Sequence, residues 1–259
     1  MLNISKRLES IAHFVGQGRR VADIGSDHAL LPVYLLQSGK TPSAIAGELN
    51  AGPYEAARRQ VAGARLEEAI KVRQGNGLEV IHPGETDTIT IAGMGGGLIR
   101  DILEAGRLQG KLEDVQELVL QPNVGEDLVR KWLVRNNWYL QEEAILEEDG
   151  KTYEILHAVR GADAMKRNEE LYDSAFWQAA YGRSLRPELL YLMGPWLLRK
   201  PDIDGVWLRK WDREIEKLEK ISLQMGRSDL AESKEKQKQL QRDMNELKEV
   251  LACLQTDKL

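Results

Sequence analysis

The sequence predicts an α/β fold, in which a mostly parallel sheet is covered by helices on both faces and is followed by a helical C-terminal region. Three observations lead to this prediction. Short apolar runs alternate with helical patterns from Arg20 to about Arg160, the last two runs are separated only by a polar turn, and no strand-like run follows Gly161. We therefore expect a sheet domain over residues 1–161 and a helical domain over residues 162–259.

Five apolar runs predict the parallel strands, and helical patterns occupy the segments between them. The strands are expected near Val21–Gly25, Ala44–Glu48, Ile70–Arg73, Thr88–Ala92 and Glu117–Leu120, with helices such as Pro53–Ala64 and Gly125–Asn136. Two further runs, Trp138–Leu146 and Tyr153–Val159, flank the polar turn E-E-D-G-K. They predict a hairpin that completes a seven-stranded, Rossmann-like sheet with an antiparallel strand.

In the C-terminal region, apolar residues recur at alternating spacings of three and four, which predicts two amphipathic helices with heptad seams. The first seam comprises Leu208, Trp211, Ile215, Leu218 and Met225, and the second Leu230, Leu240, Met244, Leu247, Leu251 and Leu254. Between them, Gly226 suits a helix end and Ser228 or Asp229 a helix start. The short connection predicts an antiparallel coiled-coil hairpin, whose charges are interpreted as a solvated face.

The segment Met165–Arg213 interleaves basic with aromatic residues, and two interpretations of it stay open. The basic residues are Arg183, Arg186, Arg199, Lys200, Arg209, Lys210 and Arg213, and the aromatic residues are Trp177, Tyr181, Tyr191, Trp196, Trp207 and Trp211. Such a set can hold phosphates and stack on nucleic-acid bases. It can equally form the packed base of a helical subdomain, which buries tryptophan and tyrosine.

The composition excludes several classes of protein. The one cysteine, Cys253, rules out an intrachain disulfide and a cysteine-cluster metal site, and four scattered histidines give no metal-binding spacing. No signal peptide or membrane-spanning apolar run is apparent, so we expect a cytoplasmic protein that binds neither membrane nor metal. The net charge of -5 argues against a generally basic nucleic-acid-binding protein but permits a local basic face.

The turn after the first predicted strand, V-A-D-I-G-S-D-H-A-L, is the strongest indication of a ligand site. In dinucleotide-binding folds, later glycines of this turn let the backbone approach a pyrophosphate, but this chain has Asp27 and Ala29 there. A carboxylate at this place repels phosphates. Asp23 and Asp27 instead suit a ligand with a cationic end and no phosphate, such as S-adenosylmethionine. The alternative is a strand-turn-helix with no ligand.

Two further strand ends favour a Rossmann-type methyltransferase over an oxidoreductase. Glu48 lies 23 residues after Gly25, which is about the distance at which an acid holds the ribose hydroxyls. Asn76, in G-N-G (Gly75–Gly77), places a side-chain amide where the adenine edge would lie.

The fourth and fifth strands run into A-G-M-G-G-G (Ala92–Gly97) and Q-P-N (Gln121–Asn123). The glycines allow the backbone to approach a flat base or the methionine arm of the cofactor. Gln121 and Asn123 offer amide groups where a target base would be presented. The alternatives are a glycine-rich helix entry without a ligand and a helix cap.

The target atom is predicted from what the sequence lacks. The N/D-P-P-Y/F motif of many exocyclic-amine methyltransferases is absent, and no cysteine lies near the site for the covalent route to cytosine C5. A ring nitrogen such as adenine N1 has an available lone pair, so positioning suffices. Asp27 would stabilise the positive charge that develops on the base or accept a hydrogen bond from N6, with His28 as its orienting neighbour. Alternatively, His28 is a first-turn helix residue without function.

Together these motifs form an ordered set: D-I-G-S-D-H-A-L-L-P, G-E-L-N-A-G-P, G-N-G-L, I-A-G-M-G-G and L-Q-P-N, followed by a helical hairpin. The set resembles the bacterial tRNA adenine-N1 methyltransferases that modify adenine 22 in the D-arm region. The resemblance implies S-adenosylmethionine as methyl donor, a Rossmann-like catalytic domain and a C-terminal coiled coil that helps to hold tRNA. A methyltransferase of another RNA or of protein, and a catalytically inactive RNA-binding relative, are the alternatives.

The resemblance also implies which residues form the site. Those expected at the cofactor are Asp23, Gly25, Ser26, Asp27, Glu48, Leu49, Asn76, Gly77, Gly93 and Met94. Asp27, His28 and Asn123 are expected to line the target side as catalytic residues. Heptad seams can pair within one chain or between two, so a monomer or a weak homodimer is expected.

Overall fold

The computed structural model describes residues 1–200, 205–226 and 231–256. Seven strands form one sheet: β1 (Val21–Ile24), β2 (Ala44–Glu48), β3 (Ile70–Gln74), β4 (Thr88–Met94), β5 (Glu117–Pro122), β6 (Tyr139–Glu148) and β7 (Lys151–Val159). Their order is β3-β2-β1-β4-β5-β7-β6. Strands β1 to β5 are parallel, and the β6–β7 hairpin adds β7 antiparallel to β5. The predicted fold class is therefore confirmed.

The central strands are buried along their whole length, as expected of a parallel sheet with helices on both faces. Val21 of β1 is paired with Ala44 of β2 on one side and with Thr88 of β4 on the other. The strand order therefore reverses at β1, where the chain continues first to one side and later to the other. In open α/β sheets, ligands bind at the carboxyl ends of the strands at such a reversal.

Five helices accompany the parallel strands: α1 (Lys6–Phe14), α2 (Leu30–Gln37), α3 (Ala51–Gly63), α4 (Gly96–Leu108) and α5 (Glu126–Arg135). Apolar residues of α1, α2 and α3, such as Ile11, Leu35 and Val61, form one buried cluster with the sheet. Outside that cluster, α4 and α5 contact each other and β4, β5 and β6. Both predicted helices in this region are present, with ends shifted by one or two residues.

The chain divides into two compact units. The first comprises residues 1–174 and 185–196, and the second residues 175–184 and 197–259, so the division does not fall at one point of the chain. Segment 185–196 returns to the first unit because Arg130 of α5 donates hydrogen bonds to the carbonyls of Tyr191 and Leu192. The remaining helices are α6 (Ala164–Leu171), α7 (Ala175–Tyr181), α8 (Pro187–Met193), α9 (Pro195–Leu198), α10 (Gly205–Met225) and α11 (Ala231–Thr256).

The two long helices of the second unit pack against each other in antiparallel directions. Lys248 of α11 pairs with Glu219 of α10 at 2.5 Å, and Gln237 donates to the carbonyl of Ser222. The buried residues are Trp207, Trp211, Ile215 and Ser222 on α10, and Met244, Leu247, Val250, Leu251 and Leu254 on α11. The first apolar seam therefore begins at Trp207 rather than at Leu208. The expected seam residue Leu230 and the expected caps Ser228 and Asp229 lie outside the described residues.

Three tryptophans of the segment Met165–Arg213 are buried and pack inside the protein. Trp177, Trp207 and Trp211 are each less than 5% exposed, so their rings are not available to stack on bases. Exposed cations on the same segment include Lys200 and Arg213. In the part of the chain that the structure describes, no helix is long and apolar enough to cross a membrane.

Candidate active site

A cavity of about 330 Å³ opens at the carboxyl ends of β1, β4 and β5, where the strand order reverses. Among the predicted site residues, it is lined by Asp23, Gly25, Ser26, Asp27, Gly93, Met94 and Asn123. The tertiary structure therefore brings together residues that are up to 100 positions apart in the sequence.

Asp23, at the end of β1, is held in a buried hydrogen-bonded position. Its two carboxyl oxygens accept the hydroxyls of Ser26 and Thr90, each at 2.6 Å. Burial raises the pKa of Asp23, while these hydroxyls and the nearby charge of Arg7 oppose the rise. Ser26 therefore acts on Asp23 through its side chain, and Thr90 on β4 adds a support that the sequence patterns did not predict.

The turn after Asp23 has an unusual backbone. Gly25 has a φ of +69°, and a Cβ atom at this position would lie 2.2 Å from Cε of Met94. Asp27, His28 and Ala29 follow with φ values of 41°, 68° and 55°. Three consecutive non-glycine residues in the left-handed region store conformational strain. Such strain clusters at functional sites, where the surrounding structure holds it in place.

The turn displays Asp27 and His28 to solvent. Their side chains are 81% and 57% exposed, and Nε2 of His28 lies 3.5 Å from Oδ1 of Asp27. His28 lies beside the carboxylate of Asp27 and is not among the residues that line the cavity.

Glu48, at the end of β2, is a buried acid with an unused acceptor. Among the described residues, its Oε1 atom has no hydrogen-bond partner, although the residue is only 7% exposed. Burial raises the pKa of Glu48, and a hydrogen bond from the backbone of Asp27 opposes this. A buried acceptor without a partner favours a ligand that donates a hydrogen bond, and the hydroxyls of a ribose are such donors. The next residue, Leu49, is 58% exposed.

Asn76 and Gly77 do not line the first cavity. They line a second cavity of about 170 Å³ together with Leu98 and Ile102. Gly77 has a φ of +54°, and a Cβ atom there would lie 3.1 Å from Ile102. The strands lie side by side in the order β4, β1, β2, β3. Along their carboxyl ends, the first cavity is therefore followed by Glu48 and then by the second cavity.

Gln121 is not available to a target base, contrary to the prediction. Its side chain is fully buried, and its Oε1 atom accepts hydrogen bonds from Arg7 Nη1 at 2.7 Å and from the N–H of Gly93 at 3.1 Å. Its Nε2 atom donates to the Pro122 carbonyl and to Oδ1 of Asn123. Asn123 is exposed and lines the cavity, while its Nδ2 atom donates to the Gly93 carbonyl. Gln121 therefore orients Asn123 and the Gly93 turn.

Sequence patterns missed three other residues of the cavity, Arg7 and Leu8 on α1 and Tyr153 on β7. No sequence signal links Arg7 to Gln121, which lies 114 residues further on. A metal site was not expected, and within residues 1–200, 205–226 and 231–256 no three His, Cys, Asp or Glu side chains are grouped to hold an ion.

Asp27 and Ala29 follow β1 where a dinucleotide-binding fold has glycines, Glu48 ends β2, and an antiparallel hairpin closes the sheet. This fold and this site define the class of S-adenosylmethionine-dependent methyltransferases with a Rossmann-like domain. More specifically, the family model TrmK, described as tRNA (adenine(22)-N(1))-methyltransferase, matches residues 21–249, and the chain belongs to this family.

Comparison with individual relatives leads to the same family. The chain is 43% identical over 251 residues to the tRNA (adenine(22)-N(1))-methyltransferase of Bacillus subtilis, with 96% of this chain and 98% of the relative covered. The crystal structure of the B. subtilis M1A22 tRNA methyltransferase TrmK has a TM-score of 0.81 and 41% identity, covering 97% of this chain and all of the other. Streptococcus pneumoniae Sp1610 in complex with S-adenosyl-L-methionine has a TM-score of 0.78 and 40% identity, covering 96% and 100%.

Proposed function

We infer that the protein transfers a methyl group from S-adenosylmethionine to N1 of adenine 22 in tRNA. The observation that carries this inference is the pair of buried acids at neighbouring strand ends, Asp23 and Glu48, in a chain that belongs to this family. A catalytically inactive relative is disfavoured, since both acids and Asp27 are in place.

The residues of the site fit the cofactor. The unused Oε1 atom of Glu48 accepts a ribose hydroxyl, and Asn76 and Gly77 lie beside the adenine. Leu49 adds exposed apolar surface next to Glu48. The turns at Gly25–Asp27 and Gly93–Met94, together with Asp23, hold the methionine arm. When bound, S-adenosylmethionine supplies an electrophilic methyl group on a positively charged sulfur.

The chain's own residues position the base and balance its charge. Adenine N1 has a lone pair in the plane of the ring, so no residue has to remove a proton before methyl transfer. The ring becomes positively charged as it is methylated, and the exposed carboxylate of Asp27 stabilises that charge. His28 orients Asp27, and Asn123, fixed through Gln121, offers an amide to the edge of the base.

One experiment tests the function directly. The protein is incubated with bulk tRNA and S-adenosylmethionine that carries a labelled methyl group, and the modified nucleosides are identified by mass spectrometry. We expect labelled 1-methyladenosine that maps to position 22. Label in another nucleoside, in protein or nowhere would contradict the proposal and favour one of the alternatives.

The Glu48→Gln variant tests the ribose contact. Replacing the carboxylate by an amide removes a charged acceptor, so the dissociation constant for S-adenosylhomocysteine, measured by calorimetry, should rise about 10- to 100-fold. Glu68→Gln is the control, because Glu68 is an exposed carboxylate before β3 that lines neither cavity. Equal affinities of wild type and Glu48→Gln would remove Glu48 from the cofactor site.

We also propose that the second unit contacts tRNA, and that the protein acts in the cytoplasm as a monomer or weak homodimer without a metal ion. Two exposed cations, Lys200 before α10 and Arg213 within it, support this proposal. The double variant Lys200→Glu, Arg213→Glu should weaken tRNA binding and lower the slope of log K against log salt by about one per lost phosphate contact. Lys217→Glu, further along α10, is the matched control, and an equal loss in both would argue for a general charge effect.

A further inference from the structure

We propose that Val124 acts as an apolar wedge, which fills the place of the target adenine in the base stack of the tRNA and so keeps the adenine in the active site. This inference rests on the proposed function, since it assumes that an adenine of a folded RNA has to enter the first cavity. It assigns a role to an exposed residue that lines neither cavity and follows directly on Asn123.

The need for a wedge follows from the position of the reacting atom. Adenine N1 lies on the pairing edge of the base, so it is covered wherever the base is stacked and paired. Enzymes that act on such an atom take the base out of the stack, and the unstacking costs free energy. An apolar side chain that fills the vacated place restores stacking contacts and offsets part of this cost, as aliphatic and aromatic wedges do between base steps.

Val124 has the exposure and the position that a wedge requires. The residue is 65% exposed, although its side chain is wholly apolar. It comes directly after Asn123, which lines the first cavity at the end of β5. Among the large apolar residues that are exposed in the described part of the chain, Val124 alone follows directly on a residue of this cavity. An aliphatic group is therefore presented to solvent where the target base would leave its stack.

The loop that carries Val124 is held in place by the turn after β4. The N–H of Asn123 donates to the Met94 carbonyl at 2.7 Å, and the Val124 carbonyl accepts the N–H of Gly96 at 2.7 Å. A Cβ atom at Gly96 would lie 2.0 Å from the carbonyl oxygen of Gly125, so the two turns approach this closely only because residue 96 is glycine. A β-branched side chain also has little rotational freedom. Val124 therefore loses little conformational entropy when it inserts between bases.

The test uses the full-length protein and a tRNA in which 2-aminopurine replaces adenine 22. The fluorescence of 2-aminopurine is quenched in a base stack and rises when the base leaves the stack. We expect wild type to raise this fluorescence several-fold at saturation. In Val124→Ala about half of the rise or more should be lost, and the single-turnover rate on unmodified tRNA should fall about 10-fold, because the cost of unstacking is no longer offset.

Two further variants serve as controls. Val124→Ile keeps a branched aliphatic side chain and should rescue both the fluorescence rise and the rate. Leu108→Ala removes another exposed apolar side chain, at the end of α4 remote from Gly96, and should leave both unchanged. Truncating a side chain as exposed as that of Val124 has little effect on stability, so a loss in Val124→Ala reports on the RNA and not on unfolding.

Each outcome decides the proposal. A fluorescence rise in Val124→Ala equal to that of wild type, or no rise with wild type while tRNA is methylated, would overturn the wedge and leave the proposed function intact. A loss in Val124→Ile as large as in Val124→Ala would assign the effect to the shape of the loop and would also overturn the wedge. A rise with wild type that is lost in Val124→Ala, without labelled 1-methyladenosine in tRNA, would support the wedge and contradict the proposed function.

Discussion

Replacing Asp27 with asparagine is expected to lower kcat for tRNA methylation by about 100- to 1,000-fold, since it removes the charge that stabilises the methylated ring. Asparagine is the right substitution because Asp27 has a φ of 41°, a conformation that asparagine adopts at lower cost than alanine. The measurement is single-turnover methyl transfer to tRNA with saturating cofactor.

Cofactor affinity serves as the control for Asp27→Asn. If the Asp27 carboxylate acts on the base and only the backbone of its turn holds the methionine arm, the dissociation constant for S-adenosylhomocysteine should change little while kcat falls. An unchanged kcat would exclude Asp27 from the chemistry. A loss of cofactor affinity with a normal kcat would indicate that Asp27 binds the ammonium group of the cofactor. His28→Asn, at a φ of 68°, should lower kcat less, because His28 acts through Asp27.

Replacing Arg130 with methionine is expected to destabilise the first unit by about 3–5 kcal/mol, the usual effect of breaking a buried ion pair. Arg130 is completely buried, and its guanidinium donates to Glu143 at 2.7 Å and to Glu154. Burial already raises the pKa of Glu143, and without Arg130 two neighbouring carboxylates would be left without a counter-charge. Urea unfolding, followed by circular dichroism, measures the loss.

The change should also release segment 185–196, because Arg130 donates to the carbonyls of Tyr191 and Leu192 and Glu143 accepts the N–H of Trp196. Lys131→Met on the same helix is the matched control. Its exposed pair with Asp127 should contribute less than about 1 kcal/mol. Equal losses of unfolding free energy in the two variants would show that the buried ion pair stabilises the protein no more than the exposed one.

Much of the fold follows from the sequence. The strand ends that carry Asp23 and Glu48 were predicted because apolar runs and turn residues are local signals, and the observed strands agree with them within a few residues. The parallel direction of the first five strands was predicted from the alternation of strands and helices, and the closing hairpin from its short polar turn. The placement of Asp23, Gly25 and Asp27 in one turn needed no tertiary information.

The partners of these residues could not be predicted in the same way. Arg7 meets Gln121 across 114 positions, and Arg130 meets Glu143 and Glu154 only after α5 has packed on the hairpin. Such contacts depend on strand register and side-chain direction, which periodicity does not specify. For the same reason the sequence left open whether Trp177 and Trp211 stack on bases or pack in a core. Both side chains are buried in the structure, so they pack in a core.

The sequence by itself thus determined the type of fold, the acidic character of the site and hence a cofactor without phosphate, because each depends on residues that are close along the chain. Only the tertiary structure decided that Gln121 is an internal support, that Glu48 keeps a buried acceptor for a ligand, and that Arg7 is the cation lining the cavity. The physical reason is that hydrogen-bond satisfaction and charge balance are properties of a folded surrounding and not of a segment.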